Sequence, residues 1–234
     1  QNEKNEEHII VADQLLLASG VIPNSDLLDC KTGGLELKEG DFIHVDNYLR
    51  TNVENVWAYG DIAGNYMFRH SANFEGEYLM ETVIRTKELE QEGGTVYPID
   101  YTGMPAAVFS YPQVANVGET EEQLKKRGAH FVKGVNKFAA SAMGMALRSQ
   151  GGFVKLLIER GTRKILGCHI VGDNASILVH EITPLMRIGG KLDHILCSIH
   201  IHPALSELVR NAARLSRNAL IEAGDKIPLI LKLK

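Results

Sequence analysis

The chain has 234 residues, of which 44% are hydrophobic and 23% charged, and its formal net charge is −4. This size and composition are typical of a globular protein with one large domain or two modest ones. The slight negative charge gives no reason to expect nucleic acid or an anionic membrane as a partner. No apolar run approaches the roughly 20 residues that cross a bilayer, and the polar, acidic N-terminus is unlike a signal peptide.

Three scattered cysteines, Cys30, Cys168 and Cys197, have no CxxC or CxxxxC spacing. An odd number without a framework favours free thiols in a reducing compartment, so we expect a cytoplasmic protein. The chain opens without methionine, directly before a strand-like apolar run. We therefore expect it to be a fragment, or a product cut from something longer.

The first part of the chain has an α/β pattern. Residues 8–20 predict two short strands, and the segments 40–46 and 55–61 predict one strand each. A helical pattern follows over residues 68–91, and the Gly93-Gly94 pair ends it. These elements predict an α/β segment.

The character of the sequence changes between residues 97 and 105, where we expect a domain boundary. Beyond it the pattern is α+β, and a hairpin is the strongest signal. The predicted elements are strands at 106–110 and 131–138, helices at 120–128 and 175–188, and a hairpin of 152–159 with 164–172.

Residues 198–207 combine a strand-like alternation with a His-Pro step and a helical pattern. Proline suits the first helical position, so Pro203 predicts a strand-to-helix corner with His202 on it. Glu207, expected in the second helical turn, could reach back to one imidazole nitrogen and fix its tautomer. This is the base-and-orienter arrangement of catalytic sites. The alternative is an ordinary capping or packed surface histidine.

A metal site is a second alternative at the same corner. His200 and His202 would share one face of a strand, and His194 and Cys197 are close in sequence. No second cluster offers the remaining ligands that a structural or catalytic metal needs. We therefore expect no metal at this position.

Gly60 and Asp61 end a predicted strand a few residues before the predicted helix at 68–91. A carboxylate there can accept hydrogen bonds from a polyol, and a helix N-terminus offers free N–H groups and partial positive charge. Together they suit a cofactor with a hydroxylated chain and an electron-accepting ring. By itself, a strand ending in Gly-Asp is most often only a turn.

Several ordered stretches resemble the pyridine nucleotide–disulfide oxidoreductases, and most of all the dihydrolipoamide dehydrogenase and mycothione reductase branches. The first is similar to the family's second flavin-binding motif and the last to its active-site His–Glu signature. In the stretch 19–24, which resembles the family's Ala-Thr-Gly-Arg-x-Pro-Asn turn, Val21 departs from the usual arginine. The stretches are 51–61 (TNVENVWAYGD), 19–24 (SGVIPN), 109–121 (FSYPQVANVGETE), 152–155 (GFVK), 165–172 (ILGCHIVG) and 200–207 (HIHPALSE).

The resemblance implies three domains: residues 1–25 as the end of an NAD(P)-binding domain, 26–96 as the C-terminal segment of an FAD-binding domain, and 97–234 as a dimerisation domain. It implies that His202 is the acid–base partner of catalytic thiols and that Glu207 orients it. In the family, this pair is contributed by one subunit of a homodimer to the other's active site. The implied flavin-binding residues are Gly60, Asp61, Met67, Phe68, Arg69 and His70.

Three family signatures are absent from this sequence: the Gly-x-Gly-x-x-Gly pyrophosphate loop, the Cys-x4-Cys redox pair and the second glycine-rich turn. We therefore expect the C-terminal portion of an FAD-dependent NAD(P)H:disulfide oxidoreductase, inactive alone, whose substrate is a small-molecule or lipoyl disulfide. The alternatives are a stand-alone dimerisation or scaffold module, and a related flavoenzyme that reduces a non-disulfide substrate. The retained His–Glu pair argues against a scaffold.

Overall fold

A computed structural model describes residues 6–85, 88, 91–149 and 151–227. The chain divides into two compact units, residues 1–99 and residues 100–234. None of the helices in the described ranges is long and apolar enough to cross a membrane. None of the three cysteines, all within the described ranges, forms a disulfide, and two of them, Cys30 and Cys168, are buried.

The first unit has one substantial helix. Helix α1 spans Arg69–Leu79 and continues as a π-helical turn over Met80–Ile84. The helix predicted for 68–91 is therefore confirmed as far as residue 84, while residues 86, 87, 89 and 90 lie outside the described ranges. Two short 3-10 turns precede the helix, at Asn24–Leu28 and Gly60–Ala63.

The strands predicted for the first unit are wrong. Residues 8–20 contain no strand, and the apolar side chains there are exposed. The segments 40–46 and 55–61 form only isolated bridges, through Ile43 and Trp57. A strand needs a neighbour that accepts and donates its backbone hydrogen bonds, and within the described residues these segments find none beyond single bridges. A small core packs here instead, built on Cys30, Ile43, Ala58, Leu35, Val45 and Ile62.

The second unit is built on a five-stranded, wholly antiparallel sheet with the order β1-β2-β5-β4-β3. The predicted hairpin is confirmed as β4 and β5, which pair directly. Strand β2 was not predicted, because its asparagine and terminal glycine weaken the strand pattern. The strands are β1 (Pro105–Val108), β2 (Gln113–Gly118), β3 (Phe131–Lys137), β4 (Phe153–Glu159) and β5 (Ile165–Gly172).

Short helices connect these strands, and one long helix covers the sheet. The predicted helix at 120–128 is confirmed as α2, where Thr120 forms a capping box with Gln123. The helices of this unit are α2 (Glu121–Lys126), α3 (Ala142–Ala146), α4 (Ala175–Leu178), α5 (Thr183–Arg187), α6 (Leu192–Cys197) and α7 (Glu207–Glu222).

The predicted helix at 175–188 is broken into three pieces. Between α4 and α5 lies a 3-10 turn, Val179–Glu181, and Pro184 follows in the first turn of α5. Proline lacks the N–H that a continuous helix would need at this point, so the chain starts a new helix there. Ile182 is fully buried in the unit's own core, while Ile177 is exposed.

Helix α7 is the amphipathic cover of the sheet and packs on β3 and β4. Its buried positions recur every three or four residues, as one stripe of a helix does. The helix lies so close to β3 that a Cβ on Gly134 would be 2.2 Å from the carbonyl oxygen of Ala212. The buried residues of α7 are Leu208, Val209, Ala212, Ala213, Ser216 and Leu220. This packing fixes the start of α7 and hence the loop before it.

Candidate functional site

The loop between α6 and α7 carries the predicted catalytic pair. The strand expected before His202 is wrong: helix α6 ends at Cys197, and an irregular segment leads to α7 at Glu207. Ile199 and Ile201 are 99% and 77% exposed, so their alternation faces solvent instead of a sheet. Pro203 consequently precedes the helix by several residues and is not its first residue. Glu207, expected in the second turn, is the first residue of α7.

His202 and Glu207 are in direct contact despite this different local structure. Nδ1 of His202 lies 3.0 Å from both carboxylate oxygens of Glu207. The backbone N–H of Ala204 donates to Oε2 of Glu207 at 3.1 Å, which holds the carboxylate over the loop. The side chain of His202 is 69% exposed, so the opposite edge of its ring faces outward. The structure thus brings together the two predicted catalytic residues.

The electrostatics of this pair favour an ionised carboxylate. The hydrogen bond from His202 and, after it, the N–H of Ala204 lower the pKa of Glu207. A carboxylate that accepts from the imidazole keeps the proton on Nδ1. Nε2 is then the nitrogen that can take up and release a proton toward solvent or substrate. This is a base with a fixed orientation.

The neighbouring histidine belongs to a second carboxylate–imidazole pair that sequence reasoning missed. Nε2 of His200 lies 2.7 Å from Oε1 of Glu181, and Nδ1 lies 3.3 Å from the carbonyl oxygen of Ser198. The His200 side chain is only 5% exposed, although the residues on either side of it point outward. His200 therefore anchors the loop that carries His202. Glu181 is nineteen positions away, so no local pattern could have indicated it.

The alternative of a metal site at His200 and His202 lacks a set of ligands among the described residues. Within the described part of the chain, no group of three or more His, Cys, Asp or Glu side chains could hold a metal ion. Instead, His200 and His202 each contact a different carboxylate, from Glu181 and Glu207.

In the first unit, the Gly60–Ala63 turn packs on helix α1. Gly60 has a φ of +74°, a left-handed conformation that favours glycine, and a Cβ there would be 3.3 Å from Cβ of Ala72. Its N–H donates to the buried carboxylate of Glu75 at 2.5 Å. Asp61 is exposed, and within the described residues its carboxylate forms no hydrogen bond or ion pair.

The first turn of α1 has the features expected of a site for an electron-rich group. Phe68 precedes the helix, and its side chain forms no capping hydrogen bond. Met67, Arg69 and His70 are exposed, and the rings of Phe68 and His70 stack 5.0 Å apart. An uncapped helix N-terminus next to a free carboxylate therefore fits a ring that accepts electrons and a hydroxylated chain.

Two family models match this chain in succession. The model "Pyridine nucleotide-disulphide oxidoreductase" matches residues 1–76, and the dimerisation domain of the same family matches residues 104–213. Together the two models cover most of both compact units.

Curated proteins of this family are similar over nearly the whole chain. Dihydrolipoyl dehydrogenase 3 of Haloarcula marismortui is 35% identical over 91% of this chain and 43% of its own length. Mycothione reductase of Mycobacterium tuberculosis is 37% identical over 87% of the chain and 44% of its own length. The chain thus spans less than half the length of these relatives.

Solved structures share the fold. The Cu(II) complex of the HOCl-induced flavoprotein disulfide reductase RclA from Escherichia coli has a TM-score of 0.77 and 25% identity, covering 90% of this chain and 46% of that one. LpdA from Mycobacterium tuberculosis, with a TM-score of 0.72 and 24% identity, covers 82% of this chain and 40% of that one. Matched in sequence along both units and in fold, this chain belongs to the pyridine nucleotide-disulphide oxidoreductase family.

Proposed function

We propose that this chain is the C-terminal portion of an FAD-dependent NAD(P)H:disulfide oxidoreductase similar to dihydrolipoyl dehydrogenase. The single observation that carries the proposal is the contact of His202 Nδ1 with the Glu207 carboxylate at 3.0 Å. A module kept only for dimerisation has no use for an exposed, oriented base. The matched relatives are oxidoreductases by name, which supports the proposed oxidoreductase function.

The proposal includes an assignment of domains and partners. Residues 1–25 would be the end of an NAD(P)-binding domain, and residues 26–96 the C-terminal segment of an FAD-binding domain. Residues 97–234 would form the interface of a cytoplasmic homodimer. The match of the family's dimerisation domain to residues 104–213 supports the last of these. The substrate would be a disulfide, either a small molecule or a lipoyl group.

Residues of the first unit fit the flavin as far as this chain supplies its site. Asp61 would accept hydrogen bonds from the ribityl hydroxyls, next to the tight turn that Gly60 allows. The backbone at residues 67–70, which opens helix α1, would face the pyrimidine edge of the ring, where the helix dipole favours negative charge. When bound, FAD supplies electron transfer between the nicotinamide and the disulfide.

His202 would handle the protons of thiol–disulfide exchange. Nε2 would take the proton of the enzyme thiol as its thiolate forms and attacks the substrate disulfide. As the S–S bond of the substrate breaks, the resulting N–H is donated to the substrate sulfur that leaves as a thiol. Glu207 keeps Nδ1 protonated and compensates the positive charge that appears on the ring during the transfer. The reacting cysteines belong to the part of the protein that this chain does not contain.

Replacing His202 by Gln in the whole protein tests the proposal. Turnover of disulfide should fall about 10²–10⁴-fold, the usual contribution of a positioned acid–base group. Reduction of the bound flavin by NAD(P)H should stay unchanged, because hydride transfer needs no imidazole. Stopped-flow absorbance separates the two half-reactions.

Glu207→Gln is the matched comparison, because it preserves the shape of the side chain and removes only the charge. It should cost less than His202→Gln, since the proton carrier remains. The assigned role is wrong if His202→Gln slows flavin reduction as much as disulfide turnover, or leaves turnover within threefold of the wild type.

A further inference from the structure

Three arginines form a stripe on helix α7 beside the proposed catalytic pair. Arg210, Arg214 and Arg217 are spaced by four and three residues, so they share the side of the helix on which Glu207 lies. With a rise of 1.5 Å per residue, the stripe extends about 15 Å from Glu207 to Arg217.

The arginines of this stripe lack the carboxylate partners that other arginines of the chain have. Six others each form an ion pair: Arg50, Arg85, Arg127, Arg160, Arg163 and Arg187. Within the described residues, no carboxylate lies within ion-pair distance of the three on α7. Within the described residues, Arg214 donates to Oδ1 of Asn211 at 3.4 Å, and the Nε atoms of Arg210 and Arg217 are buried without an acceptor. The stripe therefore carries positive charge that no ion pair of the described residues compensates.

The stripe begins at the reacting pair itself. Arg210 is one turn after Glu207 and adds to the effect of His202 and Ala204 in lowering the pKa of that carboxyl. Planar guanidinium groups bind carboxylates with two parallel hydrogen bonds. A substrate that places its disulfide at His202 can thus extend a carboxylate along the stripe.

We propose that Arg210, Arg214 and Arg217 recognise a carboxylate on the non-reacting end of the disulfide substrate, and hence that the substrate is a small anionic disulfide. This inference rests on the proposed function of His202 and Glu207 and names the substrate class of the same site. From Arg210 to Arg217 the stripe covers about 10 Å, so it accepts a carboxylate at several distances from the sulfur.

Lipoate and lipoamide provide the test. Both contain a dithiolane ring, but lipoate ends in a carboxylate and lipoamide in a neutral amide. In the whole protein, the ratio of kcat/KM for lipoate to that for lipoamide should exceed one at low salt and decline as salt rises. The double variant Arg214→Gln/Arg217→Gln should reduce this ratio about three- to tenfold, through KM for lipoate, as expected for exposed ion pairs. Lys125→Gln removes an exposed positive charge from α2 and is the control that should leave the ratio unchanged.

A binding measurement decides the question independently of turnover. Arginine side-chain NMR signals of the 234-residue chain should shift at Arg210, Arg214 and Arg217 on titration with lipoate, and stay in place with lipoamide. Equal shifts with both compounds, or none, would overturn the inference, as would a wild-type ratio that salt does not change.

A failure of the proposed function can be distinguished from a failure of the inference about the arginine stripe. If both compounds are reduced without preference, only the arginine stripe is refuted. If His202→Gln leaves turnover intact, the proposed function fails, and the NMR titration still decides whether the stripe binds a carboxylate. A preference that appears only with an acidic lipoyl-bearing protein, and not with free lipoate, would overturn the small-molecule assignment.

Discussion

At the scale of single residues, two carboxylate–imidazole pairs define the candidate site, and they differ in how far apart their members lie in the chain. His202 and Glu207 are five positions apart, within reach of one loop and the helix that follows. His200 and Glu181 are nineteen positions apart, and only the folding of the second unit brings them together. The imidazole of the first pair is exposed to solvent, whereas the imidazole of the second pair is buried and anchors the loop.

A third carboxylate, Glu121, shows how charge pairing makes the stability of the second unit depend on pH. Its oxygens lie 2.8 Å from Nζ of Lys155 and 3.1 Å from Nζ of Lys133. The hydrogen bond from Lys155, followed by that from Lys133, lowers the pKa of Glu121 from 4.5 to about 2. Because the pKa is lowered in the folded state, the stabilisation is complete above the unfolded value and disappears as the pH falls toward 2.

Glu121→Gln should therefore destabilise the protein at pH 7 by about 1 kcal/mol, a value reduced by the partial exposure of the three side chains. The difference between variant and wild type should shrink as the pH falls below about 4.5 and vanish near 2. Urea unfolding at several pH values measures it. Glu122→Gln is the control: this exposed neighbour has no ion pair within the described residues, so a pH-dependent loss of the same size there would contradict the explanation.

At the scale of elements, the approach of α7 to β3 positions the site. Helix α7 has a continuous buried stripe, and Gly134 on β3 removes the side chain that would otherwise hold the two elements apart. Since Glu207 is the first residue of α7, the depth of this packing sets where the carboxylate lies above the loop. The stability of the sheet and the geometry of the pair are thus linked.

Gly134→Ala should destabilise the second unit by about 1–3 kcal/mol, the usual cost of overpacking a core. The added Cβ would lie 2.2 Å from the carbonyl oxygen of Ala212 and 2.3 Å from Oγ of Ser216, so the helix must move away. Denaturant unfolding followed by circular dichroism gives the change. Gly151→Ala is the matched control, because a Cβ there meets nothing within 4 Å. Equal effects of the two substitutions would show that lost glycine flexibility, and not the close approach, determines the stability.

At the scale of the whole molecule, the second unit has apolar surface that its own core leaves uncovered. Phe109, Tyr111, Ile199 and Ile201 are all exposed, and the two isoleucines flank the anchor His200. Within residues 175–188, Leu178, Ile182, Leu185 and Met186 pack on the unit's own core, so that segment gives little support for an interface. The loop of the candidate site is therefore the stronger indication of an interface, because exposed apolar residues in such a number mark association surfaces.

Ile201→Asp should weaken a twofold-symmetric homodimer at least tenfold, because it places a charge in an apolar contact. Light scattering of the 234-residue chain at micromolar concentration should give a dimer mass for the wild type and a monomer fraction for the variant. Lys125→Glu, a charge change on exposed helix α2, should leave the mass unchanged. A wild-type chain that is strictly monomeric under these conditions would refute the assembly proposed here.

Sequence alone determined those elements whose signals are local. The hairpin of β4 and β5 follows from two apolar runs across a short turn, and α2 follows from Thr120 and the acidic residues after it. The pairing of His202 with Glu207 was likewise predictable, because five residues of one loop and helix suffice to bring them together. Membership of the family followed from motifs in a fixed order, which residue types and spacing define without any structure.

Only the tertiary structure decided the rest, because it depends on partners distant in the chain. A continuous apolar run in residues 8–20 and apolar alternation in residues 198–202 predicted strands. Within the described residues, neither segment finds a neighbouring strand to complete its hydrogen bonds. The burial of His200 depends on Glu181, which sequence spacing does not indicate. The free charge of the α7 stripe is visible only once the partners of the other arginines are known. Local patterns thus specify which side chains are available, and packing specifies which of them meet.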